Sequence, residues 1–238
     1  MHRCLQIHEV LEMTLGNLTP ENRIDSKGLT CLARTSKLFH DPALDILWKT
    51  QNTVANLLRC MPADVVKIHY FQPQTPYKKA ELRLLRPIMA SDWERPRLYN
   101  RCVKILASLP NTSVSASDIL PALAMSLPFD SVFPELTDLS WVSGFEQDFD
   151  YIRLFLAQGL TKIRIHCDDS FDQLSLLSVL DRKCSSLTDV TIYTGDILEE
   201  VSPWIGMILS ALVRGQRNLH SLAIQMTDMA ALEHVALL

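Results

Sequence analysis

The sequence has few glycines, no large excess of positive or negative charge, and no long apolar runs. Its 238 residues include only 7 glycines, which is few for a fold built from tight β-hairpins. The 23 basic and 27 acidic residues leave a formal net charge of −4. We therefore expect no nucleic-acid partner, because such a partner requires a basic surface. No run of about 18 uncharged apolar residues occurs, so we expect no membrane-spanning helix and no membrane partner.

The cysteines form no C-x-x-C pair, and polar residues interrupt the first positions of the chain. We therefore predict that the N-terminus is not a secretory signal peptide. Thiols of a chain without such a signal stay reduced. These observations predict a cytoplasmic or nuclear protein with reduced, mostly buried cysteines, which are Cys4, Cys31, Cys60, Cys102, Cys167 and Cys184.

Motifs for catalysis and for cofactor binding are missing as well. The chain contains neither G-x-G-x-x-G nor G-x-x-x-x-G-K-[ST], the loops that bind nucleotide phosphates. The densest group of possible metal ligands is His166-Cys167-Asp168-Asp169. Neighbouring residues of a strand point to opposite faces, so His166 and Cys167 would not converge on one ion. We predict no enzyme activity, no metal and no cofactor, and we rank a hydrolase or metalloenzyme last of three functional classes.

Residues 1–51 are predicted to form an all-α head. Its first helix carries an apolar stripe with helical spacing, Ser26 is the expected N-cap of a second helix, and Asp41-Pro42 the expected start of a third. Residues 52–110 are predicted to be a mostly helical connecting segment. The apolar stripe consists of Ile7, Val10, Leu11, Leu15 and Leu18.

Residues 111–238 contain a short pattern that recurs. Leucines at positions 136, 160, 187 and 219 each begin a Leu-x-x-apolar-x-apolar segment, and they follow one another after 24, 27 and 32 residues. The alternation at the end of each segment predicts a strand with one buried face. The segments are Leu136–Trp141, Leu160–Ile165, Leu187–Ile192 and Leu219–Ile224.

Helical stretches separate these predicted strands. Units of strand and helix at this period are typical of a leucine-rich-type solenoid, in which neighbours stack to bury their apolar faces. We therefore predict an α/β fold: an all-α head followed by an irregular leucine-rich-repeat-like solenoid with parallel strands on one side and helices on the other. The apolar ending Leu237-Leu238 predicts a solenoid that is incomplete at the C-terminus. The helical stretches carry Phe149, Ile152, Phe155 and Leu156, then Leu174, Leu177 and Leu180, then Ile205, Leu209 and Leu212.

The N-terminal half resembles an F-box protein. The motif elements that carry this resemblance are Ile7-His8-Glu9-Val10-Leu11, Leu18, Leu32-Ala33-Arg34-Thr35-Ser36-Lys37-Leu38-Phe39 and Leu47-Trp48. The stretch from Asp92-Trp93-Glu94-Arg95 to Tyr99 is similar to a segment common in fungal F-box proteins with leucine-rich repeats. Gln6-Ile7 stands where the family usually has Leu-Pro.

The resemblance implies a substrate-recognition adaptor of an SCF-type cullin-RING ubiquitin ligase. The F-box would bind a Skp-type adaptor protein, which links it to the cullin complex, and the repeats would hold an unknown protein substrate. The runner-up is a leucine-rich-repeat scaffold whose F-box is degenerate and has no ligase role. The expected adaptor contacts are Ile7, Val10, Leu11, Leu32 and Trp48, although Trp48 could equally belong to the internal core. The expected target contacts are Asp138, Ser140, Lys162, Arg164, Asp189 and Thr191.

Overall fold

The structure is a computed structural model. It describes residues 26–70, 80–108, 119–141, 146–166, 171–194 and 210–226, together with residues 13, 15, 114 and 115. Within these residues the strands form two sheets, one of six strands and one of three. All pairings in the six-stranded sheet are parallel, and helices are interspersed between its strands, so the fold is α/β.

Two helices, α1 (Ser26–Thr35) and α2 (Lys37–Lys49), follow each other near the start of the chain. They are separated by Ser36, whose backbone is extended and whose hydroxyl accepts a hydrogen bond from the Leu38 backbone N–H at 3.2 Å. Serine is a favoured N-cap because it satisfies an N–H that the helix leaves unpaired. The predicted helix start at Asp41-Pro42 is therefore wrong, because α2 begins at Lys37 and continues through Pro42.

The helical head has a small apolar cluster of its own. The buried side chains Leu15, Leu29, Ala33 and Ala43 form it, and half-buried leucine and isoleucine side chains pack around it. His40 adds a polar link between the two helices, with its Nδ1 3.1 Å from the Ala33 carbonyl oxygen. This cluster is separate from the main core.

The expectation that residues 52–110 are mostly helical is wrong. Strand β2 (Val66–Tyr70) pairs antiparallel with β3 (Ala80–Leu84), and β3 pairs in parallel with the two residues of β5 (Val114–Ser115). Apolar and polar residues alternate along β2 and β3, which favours strands over helices. The short helices of this region are α3 (Ala55–Leu58), a 3-10 turn (Ala90–Trp93) and α4 (Pro96–Asn100).

An arginine ties the hairpin of β2 and β3 to the 3-10 turn. The Arg86 guanidinium donates two hydrogen bonds to the buried Asp92 carboxylate, at 2.8 and 2.9 Å, and a third to Asp64 at 2.9 Å. Asp92 also accepts from the Met89 backbone N–H at 2.8 Å. The hydrogen bond from Arg86 holds the pKa of the Asp92 carboxyl below its usual value. Next to Asp92 in the chain, Trp93 is fully buried in the main core.

The six-stranded sheet runs in chain order. Its strands are β1 (Thr50–Gln51), β4 (Ile105–Ser108), β6 (Asp138–Trp141), β7 (Lys162–His166), β8 (Asp189–Thr194) and β9 (Ser221–Met226). The four strands predicted from the leucine spacing are confirmed as β6 to β9. The sheet also includes β1 from the expected head (1–51) and β4 from the expected connecting segment (52–110), so it crosses both expected segment boundaries.

Helices separate successive strands, as predicted. Between β4 and β6 lies α5 (Leu120–Ser126), and between β6 and β7 lies a 3-10 helix (Glu146–Phe155). Helix α6 (Phe171–Lys183) precedes β8, and a helix over 210–215 precedes β9. The predicted apolar faces are buried where the structure describes their side chains, namely at Phe149, Ile152, Phe155, Leu156, Leu180 and Leu212.

A threonine ladder, made of Thr137, Thr161 and Thr188, links the starts of the strands. The Thr137 hydroxyl donates to the Lys104 carbonyl at 3.0 Å, and Thr161 donates in the same way to the Thr137 carbonyl at 2.9 Å. The Thr188 hydroxyl lies 3.1 Å from the Thr161 carbonyl. Each of these carbonyls also accepts backbone N–H groups from the next strand's start. The ladder therefore aligns β4, β6, β7 and β8 at one end of the sheet.

The main core lies on one face of the sheet. The register places Leu106, Leu139, Ile163 and Val190 side by side, and all four side chains are buried. Trp141 packs over Phe155, with ring centroids 5.0 Å apart. On the last strand, Leu222 and Ile224 point the same way but are 37% and 48% exposed. In the described part of the chain, no helix is long and apolar enough to cross a membrane.

Candidate interaction surfaces

The outer face of the sheet presents two rows of polar side chains. The first, here the charged row, consists of Asp138, Lys162 and Asp189, which the register places opposite one another. The second, here the donor row, consists of Ser140, Arg164 and Thr191, two residues further along the same strands. Side chains two apart on a strand share a face and lie about 6.6 Å apart. All six predicted target contacts therefore lie together on one surface.

The charged row holds one lysine between two aspartates. Lys162 is exposed and lies in register between Asp138 on one side and Asp189 on the other. Directly opposed charges of unlike sign on neighbouring strands are favourable. The Asp189 carboxylate also accepts a hydrogen bond from the Thr188 hydroxyl at 2.7 Å, which joins this row to the threonine ladder.

The donor row contains one cation between two hydroxyl groups. Arg164 is 44% exposed, and one of its terminal nitrogens lies 3.6 Å from the Asp138 carboxylate. That distance is an ion pair but is too long for a hydrogen bond. Ser140 and Thr191 are half-buried on either side of Arg164. The row ends in small side chains, Ala107 before Ser140 and Ala223 after Thr191.

Two further side chains belong to this face and were missed by sequence reasoning. His166 and Tyr193 are half-buried and in register with each other, two residues beyond the donor row. Period-two alternation from Lys162 and Arg164 leads directly to His166. The alternation therefore indicates that His166 belongs to this face, whereas His166 was named only in the candidate metal cluster.

The structure describes two of the five predicted adaptor contacts. Leu32 is half-buried and packs against the head cluster of Leu29 and its neighbours. Trp48 packs against the main core and stacks on Tyr99, with ring centroids 4.7 Å apart and an interplanar angle of 17°. The remaining predicted contacts, Ile7, Val10 and Leu11, lie outside the described residues.

A cleft of about 350 Å³ opens where α2 and α4 approach the start of β4. Asp41 and Asp45, one turn apart on α2, line one wall, and Arg101 and Lys104 line another. Lys104 is paired with Glu135 at 3.2 Å. The other lining residues are Leu44, Leu98 and Cys102.

The thiols near these surfaces are poorly suited to nucleophilic chemistry. Burial raises the pKa of Cys102 to about 12, and a hydrogen bond involving Asp45 acts in the same direction. Burial also raises the pKa of Cys184 to about 12. Because the thiolate is the reactive form, both side chains stay protonated at neutral pH.

The described residues contain no group of three histidine, cysteine, aspartate or glutamate side chains that could hold a metal ion. In the predicted cluster, only His166 is described, and Cys167, Asp168 and Asp169 lie outside the described residues. What the described surfaces offer is a set of fixed charges and hydrogen-bond donors, which suits binding.

Comparison with known proteins supplies no relative. No family model, no curated protein and no solved structure matches this chain.

Proposed function

We propose that this chain is a substrate-recognition adaptor of an SCF-type cullin-RING ubiquitin ligase, acting in the cytoplasm or nucleus. Its helical head would be an F-box that binds a Skp-type adaptor, and its sheet would be the inner side of a leucine-rich-repeat-like solenoid that holds the target protein. The chain itself would carry out no bond-making chemistry.

The arrangement of the sheet is the observation that carries this proposal. Six parallel strands follow one another in chain order, with helices interspersed between them. Such stacking of similar units is typical of solenoid repeat proteins, which use an extended surface to bind partners. The outer face of β6, β7 and β8 is polar and carries unlike charges, whereas the opposite face is buried core. A solvent-exposed strand face of this kind is suited to binding another protein.

The size of the head supports a role in partner binding. Among the described residues, four buried apolar side chains form its own cluster. A cluster of four such side chains contributes little stability by itself. An adaptor that covers the remaining apolar stripe of the head would add buried area, as in other complexes where helices pack into a partner's groove.

One observation favours the second candidate, a repeat scaffold with a degenerate F-box and no ligase role. Trp48, one of the five expected adaptor contacts, uses its ring to stack on Tyr99 within the chain. A ring face engaged in this way is not available to a partner. Together with Gln6-Ile7 in place of Leu-Pro, this contact weakens the adaptor surface.

Binding of the full chain to a purified Skp-type adaptor separates the two candidates. The test variant is Val10→Asp with Leu11→Asp, which places two charges in the predicted apolar contact. A matched control is Met125→Asp with Val213→Asp, because Met125 is 93% and Val213 47% exposed in the sheet region. We expect the control to bind as the unmodified chain does and the test variant to bind at least about tenfold more weakly. A folded chain that does not bind the adaptor would refute the ligase role and leave the scaffold.

A further inference from the structure

Strand β2 is the outermost strand of the three-stranded sheet. Among the described residues that sheet has the order β2-β3-β5, so β2 is paired on one side only, with β3. Val66 and Ile68 are half-buried and pack against the main core, whereas Lys67 and His69 are exposed on the other face. The core therefore holds β2 in place, while one row of its backbone groups meets no partner strand in the described part of the chain.

The backbone groups of Ile68 point away from β3. The Leu85 N–H donates to the Val65 carbonyl at 2.9 Å, one step beyond the paired residues of the hairpin, so residues 65 and 85 form a hydrogen-bonded pair. In an antiparallel ladder such pairs alternate with pairs that exchange no hydrogen bond. Lys67 therefore belongs to the next hydrogen-bonded pair, and Ile68 to a pair without hydrogen bonds. The N–H and C=O of Ile68 lie on the outer edge of β2, where an added strand would meet them.

The outer face of the hairpin carries more positive than negative charge in the described part of the chain. Its two cations, Lys67 and Arg83, lie directly opposite each other, and like charges in these positions are unfavourable. The anion of this face, Glu81, pairs with Arg83 at 3.1 Å. No described carboxylate lies within ion-pair distance of Lys67, which is exposed beside the outer edge. A carboxylate on an added strand would therefore offset a positive charge that the hairpin leaves unpaired.

We propose that the outer edge of β2 binds an extended acidic segment of a protein partner, which pairs antiparallel with β2 and becomes a fourth strand of the sheet. The backbone of the segment exchanges hydrogen bonds with Ile68, and an aspartate or glutamate of the segment lies beside Lys67. In recognition of this kind the backbone hydrogen bonds supply affinity, and alternate side chains supply specificity. The site is separate from the six-stranded sheet and does not rest on the proposed ligase role.

Lys67 decides which strands can add to this edge. Lysine on an edge strand opposes pairing with basic or apolar strands, whereas an acidic residue beside it is attracted. A second copy of the chain is a poorer occupant. Antiparallel pairing of two β2 strands about Ile68 places Lys67 of each copy opposite His69 of the other, so no carboxylate meets either lysine. The charge of the edge therefore favours an acidic segment of a different protein.

The test is a titration of the full chain with the peptide acetyl-Thr-Val-Glu-Val-Thr-amide, followed by the amide resonances of residues 66–70 and by hydrogen exchange. We expect saturable shifts, and exchange at Ile68 that is fast in the free chain and at least about tenfold slower in the complex. N-methylation of both valines of the peptide should abolish binding, because their N–H groups face β2. N-methylation of the glutamate is the matched control and should leave binding intact, because its N–H group faces away from β2.

An exchange of charge tests the side-chain contact. Lys67→Glu should weaken binding of this peptide several-fold and should strengthen binding of a second peptide that has lysine in place of glutamate. Because Lys67 is exposed, the variant should fold as the unmodified chain does. Lys162→Glu makes the same change at an exposed lysine of the six-stranded sheet, and it should alter the binding of neither peptide.

Other results would overturn the proposal. Equal binding of the two peptides by the unmodified chain would mean that charge plays no part, and binding that survives methylation of both valines would mean that no strand is added. Absence of saturable shifts, or slow exchange of Ile68 in the free chain at every concentration, would mean that the edge is closed to a partner. Slow exchange that develops only at high chain concentration would identify a second copy as the occupant.

Discussion

The helical head and the sheet region of this chain are held together in different ways. In the head, α1 and α2 enclose four buried apolar side chains, and two of these are alanines. In the sheet region, one continuous core extends from α3 to the helix over 210–215, and the backbone N–H groups along the threonine ladder repeat the same hydrogen bonds from strand to strand. Among the described residues the head cluster is therefore much the smaller of the two cores, and the repeating units of the sheet support one another.

Trp48 joins the two regions. It belongs to α2 of the head, yet it packs on the main core and stacks on Tyr99 of α4. Strand β1 follows directly after α2 and pairs with β4, which anchors the end of the head to the sheet edge. The comparison therefore predicts that damage to the sheet core unfolds both regions, whereas damage to the head cluster stays local. The following substitutions test this difference, from the largest expected effect to the smallest.

Ile163→Ala should have the largest effect on stability. Ile163 is fully buried in the middle of the sheet, and truncation of such a side chain costs about 2–5 kcal/mol through lost burial and the cavity left behind. Ile224→Ala is the control, because Ile224 faces the same way on β9 but is 48% exposed. Urea unfolding should show a large loss for the first and a loss under about 1 kcal/mol for the second. Similar losses for the two would contradict the difference in burial between Ile163 and Ile224.

Leu29→Ala should loosen the head while leaving the sheet intact. Leu29 is the most buried residue of the four-residue head cluster other than Ala43, and its truncation should cost roughly 2–3 kcal/mol. Hydrogen exchange should accelerate in residues 26–49 but not in 162–166. Leu85→Ala, at a side chain that is 55% exposed, should change neither. Faster exchange in β7 as well would mean that head and sheet unfold as one unit.

Asp92→Asn should remove part of the change in the free energy of unfolding that occurs as the pH falls. The pKa of Asp92 is lowered in the folded protein by Arg86, so the carboxylate stabilises the fold above its ordinary pKa of about 3.9. That contribution is lost as the pH falls through the lowered folded value. The free energy of unfolding should therefore be lower for the variant than for the unmodified chain at pH 7, and the two values should converge in strong acid. A constant difference at all pH values would contradict the role of this ion pair.

Thr161→Val should have the smallest effect. It removes one hydroxyl of the threonine ladder, which donates to the Thr137 carbonyl at 2.9 Å, and keeps the shape of the side chain. The loss of one such hydrogen bond is about 1 kcal/mol. Thr30→Val is the control, because the Thr30 hydroxyl is exposed and bonds only within its own helix, to the Ser26 carbonyl. Equal effects of the two substitutions in thermal unfolding would show that the ladder adds no stability.

Several elements of the fold were predictable because the sequence patterns that indicate them lie within each element itself. The leucine spacing and the alternation after each leucine located β6 to β9, and the same alternation placed Asp138, Lys162 and Asp189 on one face. The hairpin of β2 and β3 was missed, although Val66-Lys67-Ile68-His69 alternates in the same way. Its two strands are separated by a stretch that contains Pro73 and Pro76, and no short-range turn signal marks them as partners.

The sequence by itself determined the positions of the repeated strands and the polarity of their outer face, because a period of two requires nothing beyond neighbouring residues. Only the tertiary structure decided which residues act together. The pairing of β1 with β4, the stacking of Trp48 on Tyr99 and the ion pair of Arg164 with Asp138 all join positions far apart in the chain. Such contacts depend on strand register and on helix packing, which side-chain chemistry at one position does not specify.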